Sequence, residues 1–493
     1  MKQLVEEAKR MIRTNSVTAN GNEEIANYAQ TLMQEAGMKT QQQWVTHSLE
    51  GVSKRQFNVI GILGDPLVDK KTKKGLLLNT HLDTVGPGLP ENWTETGGDP
   101  FVATVKDGRV YGLGTADVKL DFLCKLHAIS SFREKKLKMP IYLVGTCGEE
   151  LGMFGVKYLI KSLALNPKFA VVGEPTNMKV VYAHKALNLF RVSIGYHLIE
   201  RDARGFNRRV DFYAFGKSAH SAYPHLGTNA ILSMMEFLQK ATDQGFELRY
   251  TRFEGGETVN KVADRAMAQF YLTSHQFEDF KRFFREFVKR ENKEKAFRVE
   301  LGGVGEAGVR FLPDALFPCF AEILGFFRGV TADFEKVKDA GYDPPFSTVN
   351  FGQLKPRAGG MDLHFDLRLL PDLVADEIQK HIVEGIQKIA NRHPHLNVAA
   401  VRERTGLGLN TKVDHDLVQA CRDAMSAANL EPVLDKKSTS TEAAQYFQSG
   451  CDAVVFGPGV SQGNSHSPNE HCPLEHLQKA ITFYEKLIER TCL

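Results

Sequence analysis

The chain has 493 residues, 42% hydrophobic and 25% charged, which predicts two or three domains of ordinary globular composition. Its 62 basic and 59 acidic residues leave a net charge of +3, and no basic tract forms a phosphate-backbone footprint, so nucleic acid is excluded as an expected partner. The 7 cysteines lack C-x-x-C spacing, the amino end has no apolar leader, and no apolar run is long enough to span a bilayer; a reduced, cytoplasmic protein with no membrane partner is expected.

Leu4, Ala8, Met11 and Ile12 share one helical stripe, and Ile25, Tyr28, Ala29, Leu32 and Met33 share a second that stops at Gly37. Asn58 to Leu63 reads as a short strand, and the charge run Asp69 to Lys74 as a solvated turn. Next comes Leu76-Leu77-Leu78-Asn79-Thr80-His81-Leu82-Asp83, an apolar run of strand length that delivers an imidazole and a carboxylate to its carboxyl end. Residues i and i+2 of a strand share a face, so Asp83 can hold one ring nitrogen of His81 and leave the other for a metal. A buried histidine with a local acceptor would look the same; what favours a metal is recurrence of the pattern at later strand ends.

Val110 to Asp117 leads into a helix with the stripe Val118, Phe122, Leu126, Ile129 and Phe132, where Asp117 also fits a plain N-cap. Gly112-x-Gly114 lacks the third glycine of a dinucleotide loop, and no strand is read leading directly into it. The strand Ile141 to Thr146 runs into Cys147-Gly148-Glu149-Glu150, and Phe169 to Val172 into Gly173-Glu174-Pro175-Thr176. Adjacent glutamates repel each other, so a buried strand end is a costly place for them unless a cation sits there. Ala453 to Phe456 enters the Gly457 turn and then a loop with His466, before a closing helix marked by Leu474, Leu477, Ile481, Tyr484 and Ile488. Ligands of open α/β sheets sit beyond the carboxyl ends of the strands, where His81, Asp117, Glu150, Glu174 and His466 all fall. Two imidazoles and three carboxylates suit zinc, with cobalt or manganese as competitors. With Asp117 bridging, each of two ions receives a histidine, a glutamate and an aspartate oxygen, and keeps a position for water.

Six motifs in order, Thr80-His81-Leu82-Asp83-Thr84-Val85, Gly112 to Lys119, Gly148-Glu149-Glu150, Gly173-Glu174-Pro175-Thr176, Gly216-Lys217-Ser218-Ala219-His220-Ser221 and His466-Ser467-Pro468-Asn469-Glu470, resemble the M20 metallohydrolases. That family includes acetylornithine deacetylase, succinyl-diaminopimelate desuccinylase, aminoacylases, carboxypeptidases and dipeptidases. The resemblance implies an α/β catalytic domain with a mainly parallel central sheet, residues 1–186 and 404–493, and an inserted α+β ferredoxin-like lid, residues 187–403. It also implies a dinuclear zinc site, with His81, Asp117 and Glu174 on one ion and Asp117, Glu150 and His466 on the other. Asp83 would orient His81, and Glu149 would be the general base. Two departures stand out: Val118-Lys119-Leu120 lacks the glycine many relatives carry there, and Thr441-Glu442-Ala443 resembles the acetylornithine deacetylase type.

The insertion is about twice the family's single lid of ~100 residues. Val259 to Ala266 followed by Phe270 to Thr273 is echoed by Leu354 to Ala358 followed by Phe365 to Arg368, and a helix-like segment follows each, Phe277 to Val288 and Ala375 to Ala390. A doubled lid is therefore expected, with lobes at about 187–295 and 296–403. Dimeric family members use a lid histidine and a nearby asparagine from the partner subunit, and an Asp-x-Arg arginine for the substrate carboxylate. Here the first lobe carries His220 and Asn260 but has Thr273 at the arginine position, while the second carries Arg368 but has Lys355 in place of the asparagine. A monomer could complete its site in this way; a homodimer is the alternative. His220 is expected to donate to the developing oxyanion and Arg368 to grip a carboxylate, against bland roles as a solvated loop histidine and a surface arginine.

The expected reaction is amide hydrolysis beside a free carboxylate, removing the acyl group of an N-acyl amino acid. A dipeptidase or carboxypeptidase is the alternative within the family, and a catalytically silent metal-binding protein the alternative from another class.

Overall fold

The computed structural model describes residues 2–49, 52–65, 75–162, 165–200, 205–291, 295–304 and 309–493. The solvated turn expected at Asp69 to Lys74 lies outside them. The chain divides into two compact units, Met1–His184 with Leu409–Lys436 and Ser440–Leu493, and Lys185–Gly408 with Lys437–Thr439.

At the centre of the first unit, Ile141–Thr146, Leu76–His81, Phe169–Val172 and Asp452–Val455 lie side by side and parallel. The first three of these are buried at every position, which is why they read as apolar runs without alternation. Antiparallel strands flank them: Val52–Leu63 with Lys39–Leu49 on one side, Val180–His184 with Leu409–Asn410 on the other. The sheet is therefore mixed, and its parallel part is confined to the middle. Of the first hairpin, sequence periodicity captured only Asn58 to Leu63. The stretch Lys39-Thr40-Gln41-Gln42-Gln43 has no apolar face to betray a strand.

Helices Lys2–Arg13, Glu23–Glu35, Lys119–Ser130, Asp416–Ala427 and Leu474–Cys492 feed one apolar core with that sheet. Each fully buried leucine or phenylalanine in it contributes about 1.5–3 kcal/mol. Lys119–Ser130 starts from Val118 as N-cap, so Asp117 does not cap it. A strand does precede Gly112: Arg109–Tyr111 pairs with Thr104–Lys106 and with His471–Pro473 in a small antiparallel sheet.

The second unit holds an eight-stranded sheet in the order Ala296–Val304, Arg208–Phe215, Arg265–Leu272, Arg249–Gly255, Thr348–Arg357, Gly360–Leu369, Ala186–Gly195, Asn397–Thr405. Along the chain, Arg208–Phe215, helix Ala230–Asp243, Arg249–Gly255, Arg265–Leu272, helix Ser274–Arg290 and Ala296–Val304 form a β-α-β-β-α-β set. Its fourth strand lies beside its first, then come the third and the second, which is the ferredoxin-like arrangement. Ala186–Gly195, helix Leu316–Phe334, Thr348–Arg357, Gly360–Leu369, helix Ala375–Arg392 and Asn397–Thr405 have the same order of elements and of neighbours. The two sets are nested, the first inserted after the opening strand of the second. Consecutive lobes at 187–295 and 296–403 do not describe this arrangement, because Ala296–Val304 closes the inner set and Ala186–Gly195 opens the outer one. A strand cut off from its set by an entire insertion leaves no local periodic trace. Ala186–Gly195 alternates buried and half-buried residues, with Phe190, Val192 and Ile194 facing the core. None of the described helices is long and apolar enough to cross a membrane.

Candidate metal centre

His81 is the last residue of its strand, and Glu149-Glu150 form the turn just beyond Thr146. Asp117 sits in the loop ahead of the helix Lys119–Ser130, and His466 in the loop after Asp452–Val455. Asp117 turns one oxygen to each imidazole: Oδ1 is 3.2 Å from His81 Nε2 and Oδ2 is 3.3 Å from His466 Nε2. His466 Nε2 is also 3.0 Å from Glu150 Oε1. The ligating atoms of Asp117, Glu150 and His466 lie within 4.8 Å of one another, as do those of His81, Glu149 and Glu150. Glu174, buried beyond the strand Phe169–Val172, belongs to neither group. Mixed imidazole and carboxylate donors at this spacing fit divalent ions.

The electrostatics point the same way. Burial would lower the pKa of His81, yet the bond to Asp117 and the charges of Glu149, Asp83 and Asp117 hold it well above the ordinary value. His466 rises to about 11 against burial, through Asp117 and Glu150. Burial raises Glu149 well above the carboxylate range; His81 opposes this, and the charges of Glu174, Glu150 and Glu442 add to it. Glu150 is raised by burial and partly relieved by His466. Protons held on imidazoles among carboxylates mark a place where positive charge is favoured, and a metal ion can take over from those protons.

Asp83 has a second set of partners beside the one expected. Its backbone carbonyl is 3.0 Å from His81 Nδ1, whereas its carboxylate is 3.7 Å away. The strand stops at His81, so the rule that alternate residues share a face does not reach Asp83. The carboxylate accepts from Thr18 Oγ1 at 2.7 Å and from the backbone N–H groups of Glu149 and Glu150 at 3.2 and 3.4 Å. It pins the turn that carries both glutamates, a turn that Gly148 enters at φ +66°. Glu470 had no role assigned from sequence. Its carboxylate accepts from the N–H groups of Gly114, Ala116 and Asp117 at 3.1, 2.8 and 2.9 Å, and burial pushes its carboxyl up to about 7. Pairing of His471–Pro473 with Arg109–Tyr111 brings it to that loop, so Glu470 sets the backbone from which Asp117 projects.

The second unit gathers the three residues expected from the lid. Ser221 accepts from Arg368 Nη2 at 3.1 Å and donates its N–H to the Asn260 carbonyl at 3.0 Å, while His220 forms a β-bridge with Lys261. Ser221 of the inner set thus links buried Arg368 of the outer set to the segment that carries the exposed His220 and Asn260. His220 Nδ1 accepts the Ala222 N–H at 3.0 Å, which leaves the ring proton of the neutral imidazole on Nε2. Arg368 is only 4% exposed, so it is no surface arginine. It lies 3.4 Å from Asp366 Oδ2, and its Nε has no partner among the described residues. An unsatisfied buried guanidinium N–H is costly, and a ligand carboxylate would satisfy it. Buried Lys185 donates to the carbonyls of Pro344 and Phe346 at 2.7 and 2.6 Å; burial, together with the charge of Arg368, pushes it down to about 8.

Acetylornithine deacetylase of Proteus mirabilis (strain HI4320) is 24% identical over 495 residues, spanning 97% of this chain and 93% of the relative. The enzyme of the same name from Salmonella typhimurium (strain LT2) is 25% identical over 429 residues, 85% of this chain and 80% of the relative. Among solved structures, aminoacylhistidine dipeptidase from Vibrio alginolyticus superposes with a TM-score of 0.70 at 17% identity, over 99% of this chain and 96% of the other. The M20 family metallo-carboxypeptidase Sso-CP2 from Sulfolobus solfataricus gives 0.58 at 18% identity, over 99% of both chains. These structural likenesses establish the fold. The profile of peptidase family M20/M25/M40 matches residues 77–490, from the His81 strand to the last helix, and the chain belongs to that family.

Proposed function

We propose that the protein is a dinuclear zinc amidohydrolase that removes the acyl group from an N-acyl amino acid. The observation that carries this is Asp117, with one oxygen turned to His81 and the other to His466. In this proposal His81, Asp117 and Glu174 hold one ion and Asp117, Glu150 and His466 the other, with cobalt or manganese as substitutes for zinc. Ions held there supply Lewis acidity to the amide carbonyl and acidify water. Glu149 takes the proton of a water whose oxygen adds to the carbonyl carbon. It then gives that proton to the nitrogen as the C–N bond breaks. Asp83 keeps Glu149 in place by holding its backbone N–H. His220 offers its Nε2–H to the oxyanion, and Arg368 grips the substrate carboxylate beside Asn260. Because His220 and Arg368 come from different strand sets of one unit and are linked through Ser221, the monomer is the proposed active form.

The deacetylase likeness along nearly the whole chain favours an N-acyl amino acid over a dipeptide. Purified protein with zinc is expected to hydrolyse N-acetyl amino acids faster than dipeptides at equal concentration. Glu149→Ala should keep its metal while turnover falls by at least ~10²–10⁴-fold. A preference for dipeptides would replace the deacylase with a dipeptidase, and metal binding without hydrolysis across an amide panel would leave a binding protein. Sedimentation in which activity follows only a dimer would remove the monomer.

A further inference from the structure

We propose that Glu442 is a positioning residue of the metal centre, acting through the ends of the two strands that deliver His81 and Glu149. The proposal rests on the metal-site reading above and adds a residue that touches none of the ligands.

Glu442 directly precedes the helix Ala443–Gln448 and is fully buried. Its Oε2 accepts from Asn79 Nδ2 at 2.6 Å and from Thr146 Oγ1 at 2.7 Å. Asn79 lies two residues before His81 in the same strand and therefore on the same face. Thr146 ends the neighbouring parallel strand, in register with His81, and its carbonyl accepts the Leu82 N–H at 2.9 Å. Tyr446, one helical turn beyond Glu442, donates its hydroxyl to Asn79 Oδ1 at 3.0 Å. One short helix thus grips both strand ends with two side chains, at the point where the chain turns toward His81 on one strand and the glutamate pair on the other.

The clamp is an expensive choice if packing were its sole purpose. A carboxyl in this place sits near His81, Asp83 and Glu149, and burial pushes it up to about 7. An apolar residue of similar size would fill the space without that cost, but would leave the Thr146 hydroxyl a buried donor with no acceptor and the Asn79 amide with only its longer bond, 3.5 Å, to Thr146 Oγ1. Oε1 has no partner among the described residues, so the two bonds at Oε2 account for the carboxyl's contacts there. Partners that orient ligands from behind typically change metal affinity or activity by about 10–100-fold when removed.

The test compares Glu442→Ala, Glu442→Gln and Thr146→Val with wild type, by zinc titration of the metal-free protein, by kcat/KM on an N-acetyl amino acid, and by thermal melting. Glu442→Ala is expected to weaken zinc binding and kcat/KM by about 10–100-fold, while Glu442→Gln, whose oxygen can still accept both bonds, recovers most of the loss. Thr146→Val should weaken zinc binding less than Glu442→Ala does. A purely structural residue would lower the melting temperature and leave zinc affinity unchanged, and that outcome overturns the proposal. So does a Gln variant as poor as Ala, which would assign the effect to charge. If Glu442→Ala does not fold, unchanged zinc affinity in Thr146→Val overturns it as well. A wild-type protein that takes up no zinc defeats the metal-site reading itself, before any variant is compared.

Discussion

In the first unit, the buried groups at the strand ends include carboxyls that desolvation pushes upward, Glu149, Glu150, Glu442 and Glu470 among them. In the second unit, Lys185 and Arg368 are buried cations, and Asp366 beside Arg368 is itself raised by burial and so a weak counterweight. Both arrangements carry the cost of taking charge out of water. The difference teaches what each place is suited to receive: a cation among the acids, a carboxylate beside the arginine.

The largest effect should come from breaking the acidic half. Asp117→Ala removes the oxygen pair that both histidines face, and on the proposed metal site that would cost several kcal/mol of carbonyl polarisation. Bound zinc should fall and kcat/KM drop by more than about 10³-fold; metal analysis showing full zinc content would contradict the bridging role. A smaller effect is expected in the cationic half. Arg368→Lys keeps the charge and loses the bidentate fork. Charge-assisted hydrogen bonds of about 1.5–3 kcal/mol correspond to roughly a 10–100-fold loss, mainly in KM. A substrate analogue with its carboxylate amidated should be insensitive to the change, and an equal loss on that analogue would remove Arg368 from recognition.

The smallest effect concerns stability and sharpens the contrast through its sign. Glu442 and Glu470 have folded-state pKa values of about 7 against an ordinary 4.5, so the folded metal-free protein holds protons that the unfolded chain has already lost. Their contribution is fully present below pH 4.5 and is lost as pH rises through about 7. Lys185 works in reverse: its folded value of about 8 lies below the ordinary 10.5, so between these the unfolded chain binds more protons and stability rises with pH. Melting of metal-free protein should show the fall across the acidic range flattened by Glu442→Gln, and the alkaline rise flattened by Lys185→Met. Slopes unchanged in both variants would break the comparison at its root.

Much of the candidate metal centre was legible in the chain. Buried parallel strands read as unbroken apolar runs, so the polar residues at their ends stood out: His81, Glu149, Glu150 and Glu174 were visible for that reason, and His466 followed from the loop after the last such run. The structure brings all of these except Glu174 into the two ligand groups with Asp117. The carboxylate of Asp83 stays 3.7 Å from His81 Nδ1 and also takes the backbone N–H groups of Glu149 and Glu150, a partnership hidden because the strand ends two residues sooner than the apolar run suggested. The internal resemblance within the second unit was visible at Phe270 to Thr273, which covers the end of the inner set's third strand and the cap of the next helix, and at Phe365 to Arg368 in the outer set's third strand. Its nesting was not.

By itself, the sequence determined which residues are acidic or basic, which runs are apolar enough to be buried strands, and hence the place of the candidate ligands along the chain, because these depend on local composition and period. Tertiary structure alone decided that Glu470 holds the Asp117 loop, that Glu442 clamps Asn79 and Thr146, and that Ser221 joins His220 to Arg368. Those hydrogen bonds link residues far apart in the chain, and no spacing rule connects them until the sheets bring their strand ends together.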